Sequence, residues 1–229
     1  MMNTTLLKDN SISMFTHEIK NPLAVCNGYL DILQKEDIVN KDYLKIIKEE
    51  IKRTLDIIND YSLNNSISNL NYENFDLGIL IEDVINTLNN LFLNNNSEII
   101  FVNRRNLYLY GDYNKLKQVF INILKNSIEA KSSLKLLVYI NVITIDNYYE
   151  IDIVDNGIGI SREVFNNIFK DFFTTKKYGT GLGISFIKEI IKMHGGSVKY
   201  TSEENLGTKV IVLLPKEKSP KTFNNSNYY

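Results

Sequence analysis

The residues best suited to chemistry lie near the start of the chain, between His17 and Leu23. This segment puts an imidazole, the Glu18 carboxylate and the Asn21 carboxamide on neighbouring turns of an amphipathic helix. Glu18 could accept the Nδ1 proton of His17 and leave Nε2 as a nucleophile for phosphoryl chemistry, while Asn21 could orient a water. Pro22 removes a backbone donor and is expected to bend the helix beside the histidine. The alternative is a solvated surface histidine without such a role.

Two apolar stripes predict a helical hairpin in the N-terminal part of the chain. The first stripe repeats at helical spacing and consists of Ile12, Phe15, Ile19, Leu23, Cys26, Leu30 and Leu33. The second follows a polar connection around residues 35–42 and consists of Leu44, Ile47, Ile51, Leu55 and Ile58. Because two helices cannot bury both stripes by themselves, we predict that residues 1–70 of two copies form a dimeric four-helix bundle. The alternative is a hairpin that packs on its own C-terminal domain.

The rest of the chain predicts an α+β two-layer sandwich over residues 71–215, followed by a flexible tail at 216–229. The frayed end of the second helix and a short linker are expected at 59–74. Predicted helices cover 75–92, 113–131, 162–169 and 182–194. Predicted strands cover 99–103, 108–110, 136–145, 150–154, 197–201 and 208–214, and most of them should pair antiparallel.

Two groups of residues in this second domain are suited to a nucleotide. Asn122 and Asn126 lie one turn apart on a helix face, where carboxamides can hold a hydrated Mg2+ and phosphate oxygens. Asp155 follows an apolar strand, and its carboxylate can accept a hydrogen bond from the adenine amine while Gly157 and Gly159 let the backbone approach the ring. Each pattern has a simpler alternative, namely a chance pair in an Asn-rich chain and an ordinary Asp-Asn-Gly turn.

A third group, from Gly179 to Gly183, opens a helix. Its closely spaced glycines expose backbone N–H groups at the positive end of that helix, which suits a phosphate. The segment follows a loop and lacks both the spacing of a dinucleotide fingerprint and the lysine of a P-loop. Neither of those two folds is therefore expected.

Composition excludes several classes of protein. The formal net charge of -1 and the pI near 6.2 argue against a nucleic-acid-binding surface. The apolar runs are too short to cross a bilayer and no signal peptide precedes His17, so we expect no membrane insertion and a cytoplasmic location. The single cysteine, Cys26, lies on the first apolar stripe and is expected to pack there.

The order of these motifs resembles that of sensor histidine kinases over residues 12–215. Segments 17–23, 122–126, 155–159, 169–176, 179–183 and 207–208 match the H, N, G1, F, G2 and closing boxes of that family. The resemblance implies a phosphoacceptor and dimerisation hairpin followed by a gyrase-like (Bergerat) ATP-binding domain. No sensor precedes the hairpin in this sequence, so we expect a short soluble form of the family, with an excised catalytic core as the alternative.

The resemblance further implies a role for each matching residue. His17 would be the phosphoacceptor that attacks the γ-phosphate of ATP, and Glu18 would orient and deprotonate it. Asp155 would read adenine, and Lys176, in the lid segment, would neutralise the γ-phosphate. The implied cofactor-binding residues are Asn122, Asn126, Asp155, Gly157, Gly159, Lys176, Thr180, Gly181, Leu182, Gly183 and Thr208, with Asn126 as the ligand of Mg2+.

The implied partners are a second copy of the chain, a response regulator receiver domain that takes the phosphoryl group on an aspartate, and a sensor or regulatory protein. Asn21 would hold a water in line with a docked phospho-aspartate, so phosphatase activity is also expected, and the small Ala24 and Gly28 on the same helix face would let a regulator helix approach closely. The alternative is that Asn21 only caps the bend made by Pro22. The alternative is a non-catalytic phosphotransfer or scaffold protein with a decayed nucleotide domain. Glu129 fits either a supporting role in the site or a solvated surface position, and His194 is expected to be structural.

Overall fold

The computed structural model describes residues 16, 19–34, 40–65, 70–102, 106–132, 135–176 and 179–217, with only the backbone at 56 and 59–65. His17 and Glu18 lie outside the described residues, so the roles expected for them stay predictions. The predicted tail lies outside them from residue 218 onward. Within the described ranges, no helix has the length and apolar composition needed to cross a lipid bilayer.

The N-terminal helices form the predicted hairpin. Helix α1 covers residues 19–34 and helix α2 covers Lys41–Asn65. Helix α2 begins after Asn40 because the side-chain oxygen of Asn40 accepts a hydrogen bond from the Asp42 N–H at 2.9 Å. The two helices meet where Cys26 Sγ donates to the Ile47 carbonyl oxygen at 3.6 Å, and both residues are buried. Cys26 therefore packs inside the hairpin, as expected.

Much of the two apolar stripes is exposed in the single chain. The exposed members, each between 41% and 55% accessible, are Leu23, Leu30, Leu44, Ile51, Leu55 and Ile58. An exposed apolar surface of this extent is uncommon on a soluble monomer and marks a surface of contact. One hairpin thus leaves exposed the surface that the sequence assigns to a four-helix bundle.

The helices and strands of the following domain lie close to their predicted positions. The helices are α3 (Leu77–Asn94), α4 (Tyr113–Glu129), α5 (Arg162–Phe165) and α6 (Gly183–Met193). The strands are β1 (Glu73–Asp76), β2 (Ser97–Val102), β3 (Tyr108–Gly111), β4 (Leu136–Ile145), β5 (Tyr148–Asp155), β6 (Ser197–Glu203) and β7 (Gly207–Pro215). Five strands form a sheet in the order β2-β4-β5-β7-β6, while β1 and β3 pair separately. All neighbours pair antiparallel except β2 and β4, which are parallel.

The core lies between one face of the five-stranded sheet and helices α3, α4 and α6. Alternate residues of β4 and β5 are fully buried, among them Val138, Ile140, Ile151 and Ile153, because successive side chains of a strand point to opposite faces. These side chains and the buried faces of the three helices form one hydrophobic cluster. This arrangement confirms the predicted α+β two-layer sandwich.

Two elements differ from their predictions for local reasons. The helix predicted from residue 75 begins at Leu77, because residues 73–76 form β1 and Asp76 caps the helix by accepting from the Gly78 N–H at 2.8 Å. The helix predicted at 162–169 is one turn long, and just after it the Asn167 side chain donates to a backbone carbonyl at 2.9 Å, which competes with helix continuation. The domain limits expected at 70/71 and 215/216 stay predictions.

His194 joins the end of α6 to the start of α4. Its ring is buried, Nδ1–H donates to the Ile190 carbonyl oxygen at 2.7 Å, and Nε2 accepts from the Asp112 N–H at 2.9 Å. These partners require the neutral ring with its proton on Nδ1. Burial lowers the pKa of His194 below its ordinary value, although the Ile190 carbonyl and Asp112 oppose the shift. His194 is therefore a structural residue, as expected.

Candidate functional site

Asp155, the last residue of β5, lies at the centre of a hydrogen-bonded cluster. It is only 6% exposed, and burial raises the pKa of its carboxyl group above the ordinary value. Its Oδ1 accepts from the Gly157 N–H at 3.0 Å and the Thr208 N–H at 3.2 Å, and its Oδ2 accepts from Ser127 Oγ at 3.0 Å. A carboxylate can accept about four hydrogen bonds, so Oδ2 keeps capacity for one more donor.

The two glycines after Asp155 are required by close packing within the chain. A Cβ atom at Gly157 would lie 2.6 Å from the Ala130 carbonyl oxygen, which already accepts from the Ile158 N–H at 2.8 Å. Gly159 has a φ of +65°, and a Cβ there would lie 2.0 Å from the Glu203 carbonyl oxygen. The loop after β5 therefore passes between the end of α4 and the β6–β7 turn only because both residues lack side chains.

Asn126 lies near the end of α4 and is in contact with a cation from elsewhere in the chain. Its Oδ1 accepts a hydrogen bond from Lys176 Nζ at 2.8 Å, and the same ammonium forms an ion pair with Glu129 Oε2. Asn122, one turn earlier, accepts from Gln118 Nε2 at 3.1 Å. The amide oxygen of Asn126 thus points to a place where a positive charge is held.

The segment before α6 combines tight packing with an open helix start. Thr180 and Leu182 are buried, and Gly181 has a φ of +68° with Phe172 so close that a Cβ would lie 2.3 Å from its carbonyl carbon. Leu182, the N-cap of α6, makes no side-chain capping bond. A Cβ at Gly183 would meet nothing within 4 Å. The first N–H groups of an α-helix have no partner within the helix, and the space on the Cβ side of Gly183 is open, so the start of α6 is compatible with a phosphate site.

Thr208 takes part through its backbone. Its N–H donates to Asp155, while its Oγ1 lies 2.9 Å from Ser202 Oγ. Ser202 Oγ also donates to the Gly207 carbonyl oxygen at 2.9 Å. The start of β7 is thereby held against the end of β5, which fixes one side of the Asp155 carboxylate.

Comparisons with known proteins agree with this geometry. The sequence profile described as "Histidine kinase-, DNA gyrase B-, and HSP90-like ATPase" matches residues 111–218, and that of the His Kinase A (phospho-acceptor) domain matches residues 7–66. The solved catalytic domain of histidine kinase ThkA is 32% identical, with a TM-score of 0.57 over 64% of this chain and 96% of that domain. This chain belongs to the histidine kinase family.

Other histidine kinases match over nearly the whole chain. Sporulation kinase D of Bacillus subtilis (strain 168) is 34% identical over 87% of this chain and 40% of its own length. Sporulation kinase B of the same organism is 32% identical over 88% of this chain and 48% of its own length. The chain therefore spans less than half the length of these two relatives. The structure of ThkA in complex with the response regulator protein TrrA matches with 26% identity and a TM-score of 0.77, over 96% of this chain and 65% of ThkA.

The family match implies that this histidine kinase binds ATP, and the arrangement at Asn126 is compatible with a divalent cation. Within the described ranges, no three His, Cys, Asp or Glu side chains cluster as a metal site. The carboxamide oxygen of Asn126 could serve a Mg2+ ion together with phosphate oxygens, which is a ligand set that this ion accepts. Asn126 Oδ1 already accepts an ammonium, so its surroundings tolerate positive charge.

Several contacts in this site were not expected from the sequence. Ser127 binds Asp155 across 28 positions of the chain, and no local pattern marks it except its place beside Asn126. Glu129 pairs with Lys176 across 47 positions while its side chain stays 48% exposed, so a supporting role for it in the site stays a prediction. Long-range contacts of this kind depend on how α4 and the loop after α5 are placed, which a local motif does not specify.

In the part of the chain that matches the His Kinase A domain, residue 16 and the residues from 19 to 34 are described on either side of positions 17 and 18. Asn21, Ala24 and Gly28 are exposed on α1, as the predicted outward face requires. None of the hydrogen bonds made by the described residues joins Asn21 to the nucleotide site. The site residues that the structure brings together are therefore those of the ATP-binding domain.

Proposed function

We propose that this chain is an ATP-dependent protein-histidine kinase that phosphorylates itself on His17 and passes the phosphoryl group to an aspartate of a response regulator receiver domain. The observation that carries the proposal is the assembly of the Asp155 cluster and the Asn126–Lys176 contact on one domain. The match of residues 7–66 to a phosphoacceptor domain supports His17 as the acceptor. A decayed nucleotide domain would have no need to keep both clusters, which argues against the non-catalytic alternative.

Asp155 would select adenine through the free acceptor capacity of Oδ2. The exocyclic amine of adenine is a donor, and a buried carboxylate with three fixed protein donors is held in place to meet it. Gly157 and Gly159 keep the loop after β5 close to the body of the domain. These contacts support binding of a purine with an amino group rather than a phosphate-only ligand.

The opposite side of the site would hold the phosphates. The N-terminus of α6, with Gly183 at its first position, would bind phosphate oxygens through backbone N–H groups. Asn126 would hold Mg2+, which neutralises phosphate charge when it is bound. Lys176 would contact the γ-phosphate once it leaves Asn126. Thr180, Gly181 and Leu182 fix the backbone from which α6 begins.

Transfer to the histidine needs few protein groups beyond these. Nε2 of His17 would attack the γ-phosphorus as the bond from that phosphorus to the β–γ bridging oxygen breaks, and ADP would leave. Glu18 would accept the imidazole proton. Because phosphoryl transfer depends mainly on position and charge neutralisation, this set suffices for the reaction.

The exposed stripes on α1 and α2 support a homodimer. Their exposed members include Leu23 and Leu30 on the first helix and Ile51 on the second. Packing of these side chains against a second hairpin would stabilise the pair, because it removes apolar surface from water. The dimer that we propose is therefore a four-helix bundle built from two copies of the hairpin.

The regulator partner is proposed from a relative. ThkA was solved with the response regulator protein TrrA, so a receiver domain is the partner that we propose for this chain. The cytoplasmic location and a sensor or regulatory partner stay predictions.

The decisive experiment is incubation of the chain with γ-labelled ATP and Mg2+. We expect an acid-labile, base-stable phosphoprotein, since that stability is typical of a phosphorylated imidazole. His17→Gln should abolish the label, while ATP binding survives because the binding residues lie on other elements. Label that persists in His17→Gln would exclude His17 as the acceptor, and absence of any label on the unmodified chain would contradict the kinase proposal.

A further inference from the structure

The ammonium of Lys176 is held at two points in the nucleotide-free domain. It donates to Asn126 Oδ1 at 2.8 Å and pairs with Glu129 Oε2, and both oxygens belong to the last turns of α4. The Lys176 and Glu129 side chains are 43% and 48% exposed, so the pair is open to exchange with other ions. A flexible surface lysine would not need both contacts.

The backbone around Lys176 also favours this position. The Lys176 N–H donates to Thr174 Oγ1 at 3.1 Å, and the Gly179 N–H donates to the Lys176 carbonyl oxygen at 3.3 Å. A Cβ at Gly179 would lie 2.3 Å from Thr174 Oγ1, so a larger residue there would require the Thr174 side chain to move. Lys176 is thus directed toward α4 by its own segment as well as by Glu129.

The contact has a consequence for cation binding. Asn126 Oδ1 is the oxygen that we assign to Mg2+, and an ammonium 2.8 Å away occupies the space beside it. Two cations on one amide oxygen would repel each other strongly at such short range. The ammonium must therefore leave Asn126 before a divalent cation binds there.

We propose that Glu129 is a positioning residue that holds Lys176 on Asn126 in the nucleotide-free domain, so that Mg2+-ATP binds by displacing the ammonium. Displacement frees Lys176 for the phosphates in the same step that gives Asn126 its cation. The inference rests on the proposed function, because it assigns the metal to Asn126 and the phosphate to Lys176. It adds a role for Glu129, which contacts neither group.

The test is the affinity of the full chain for Mg2+-ATP, measured by calorimetry in a His17→Gln background that cannot turn over. Glu129→Gln keeps the size of the side chain and removes the charge that retains Lys176. Because an exposed ion pair is weak, we expect binding about two- to fivefold tighter than in the parent. Without nucleotide, the Lys176 ammonium should exchange its hydrogens with water faster in Glu129→Gln.

Two further variants make the result specific. Glu98→Gln breaks the Glu98–Lys135 pair, whose side chains are both 51% exposed, and should leave both readouts unchanged. In a Lys176→Gln background, Glu129→Gln should no longer alter the affinity, because its partner is gone.

Three results would overturn the proposal. Weaker binding of Mg2+-ATP by Glu129→Gln that persists in the Lys176→Gln background would mean that Glu129 acts on the cation. If Glu129→Gln changed neither the affinity nor the hydrogen exchange, the Glu129–Lys176 pair would not hold Lys176 on Asn126. If Glu98→Gln changed the affinity equally, the effect of Glu129→Gln would come only from the change in net charge. Failure of the parent to bind Mg2+-ATP would instead contradict the proposed function, and the exchange comparison would still decide on the Lys176 contact.

Discussion

Replacing Asp155 by Asn separates the folding role of this residue from its role in binding. In the structure, Oδ1 accepts from Gly157 and Thr208 N–H groups, and an Asn oxygen in the same place can accept both. The Asn amino group would then face Ser127 Oγ, which can accept from it. The Ser127 proton can turn to the Ile123 carbonyl oxygen, 3.4 Å away. The free domain therefore keeps its hydrogen bonds.

In the ATP-bound state of Asp155→Asn, no rearrangement of these hydrogen bonds restores the missing acceptor. With Oδ2 replaced by an amino group, the adenine amine would meet a donor where it needs an acceptor. Loss of one hydrogen bond in a buried site costs about 1–3 kcal/mol, so the Kd for ATP should rise about 5- to 150-fold. The free energy of unfolding without ATP should change by less than about 1 kcal/mol. A large binding loss with a small stability loss is the expected signature.

Calorimetric titration with ATP and urea unfolding of the same samples would measure both quantities. Asp152→Asn is the matched control, because Asp152 lies on the same strand but faces the other side of the sheet and pairs with Lys209 at 2.9 Å. Asp152→Asn should leave the Kd for ATP unchanged. If Asp155→Asn binds ATP as well as the parent does, adenine lies elsewhere and the reasoning is refuted.

Three further outcomes are expected. Asn21→Ala should spare phosphorylation of His17 but slow dephosphorylation of the regulator about tenfold, if water positioning supplies about 1.4 kcal/mol; equal decay rates in the presence of ADP would remove this role. In a His17→Gln background, where His194 is the remaining histidine, the free energy of unfolding in urea should fall as the pH drops below about 6.5, because the folded pKa is lowered and protonation favours the unfolded chain; a flat profile would contradict this. Gly159→Ala should lower the free energy of unfolding by at least about 1–2 kcal/mol, since φ is +65° and a Cβ would lie 2.0 Å from a carbonyl oxygen, whereas Gly28→Ala, with nothing within 4 Å, should raise it by about 0.5–1 kcal/mol in the same urea titration.

The sequence predicted elements whose periodicity is long and strong. Helices α4 and α6 and strands β4 and β7 lie within two residues of their predicted limits. Strand β1 was missed because its 4 residues are too few to show alternation and it is stabilised by pairing with the distant β3. The parallel register of β2 against β4 is likewise a property of topology rather than of either segment.

The site could be predicted from the sequence where its functional residues are close together along the chain. Asp155 and the two glycines after it form one short motif, and Asn126 repeats at helical spacing from Asn122. The sequence did not predict that Ser127 would donate to Asp155, or that Glu129 would pair with Lys176. Both contacts involve the last turns of α4, whose placement depends on packing across the core and not on local pattern.

His194 contacts the start of α4, at the opposite end of that helix from Asn126 and Ser127. From the bond between His194 and the Asp112 N–H, α4 runs toward Asn126 and Ser127, while α6 arrives at His194 from Gly183. The bond therefore fixes both helices at the ends remote from the nucleotide. An 11-residue helix such as α6 is about 16 Å long, so small rotations at His194 move the phosphate end through a long lever. We therefore expect the buried, neutral histidine to hold the first residues of α4 against the last residues of α6.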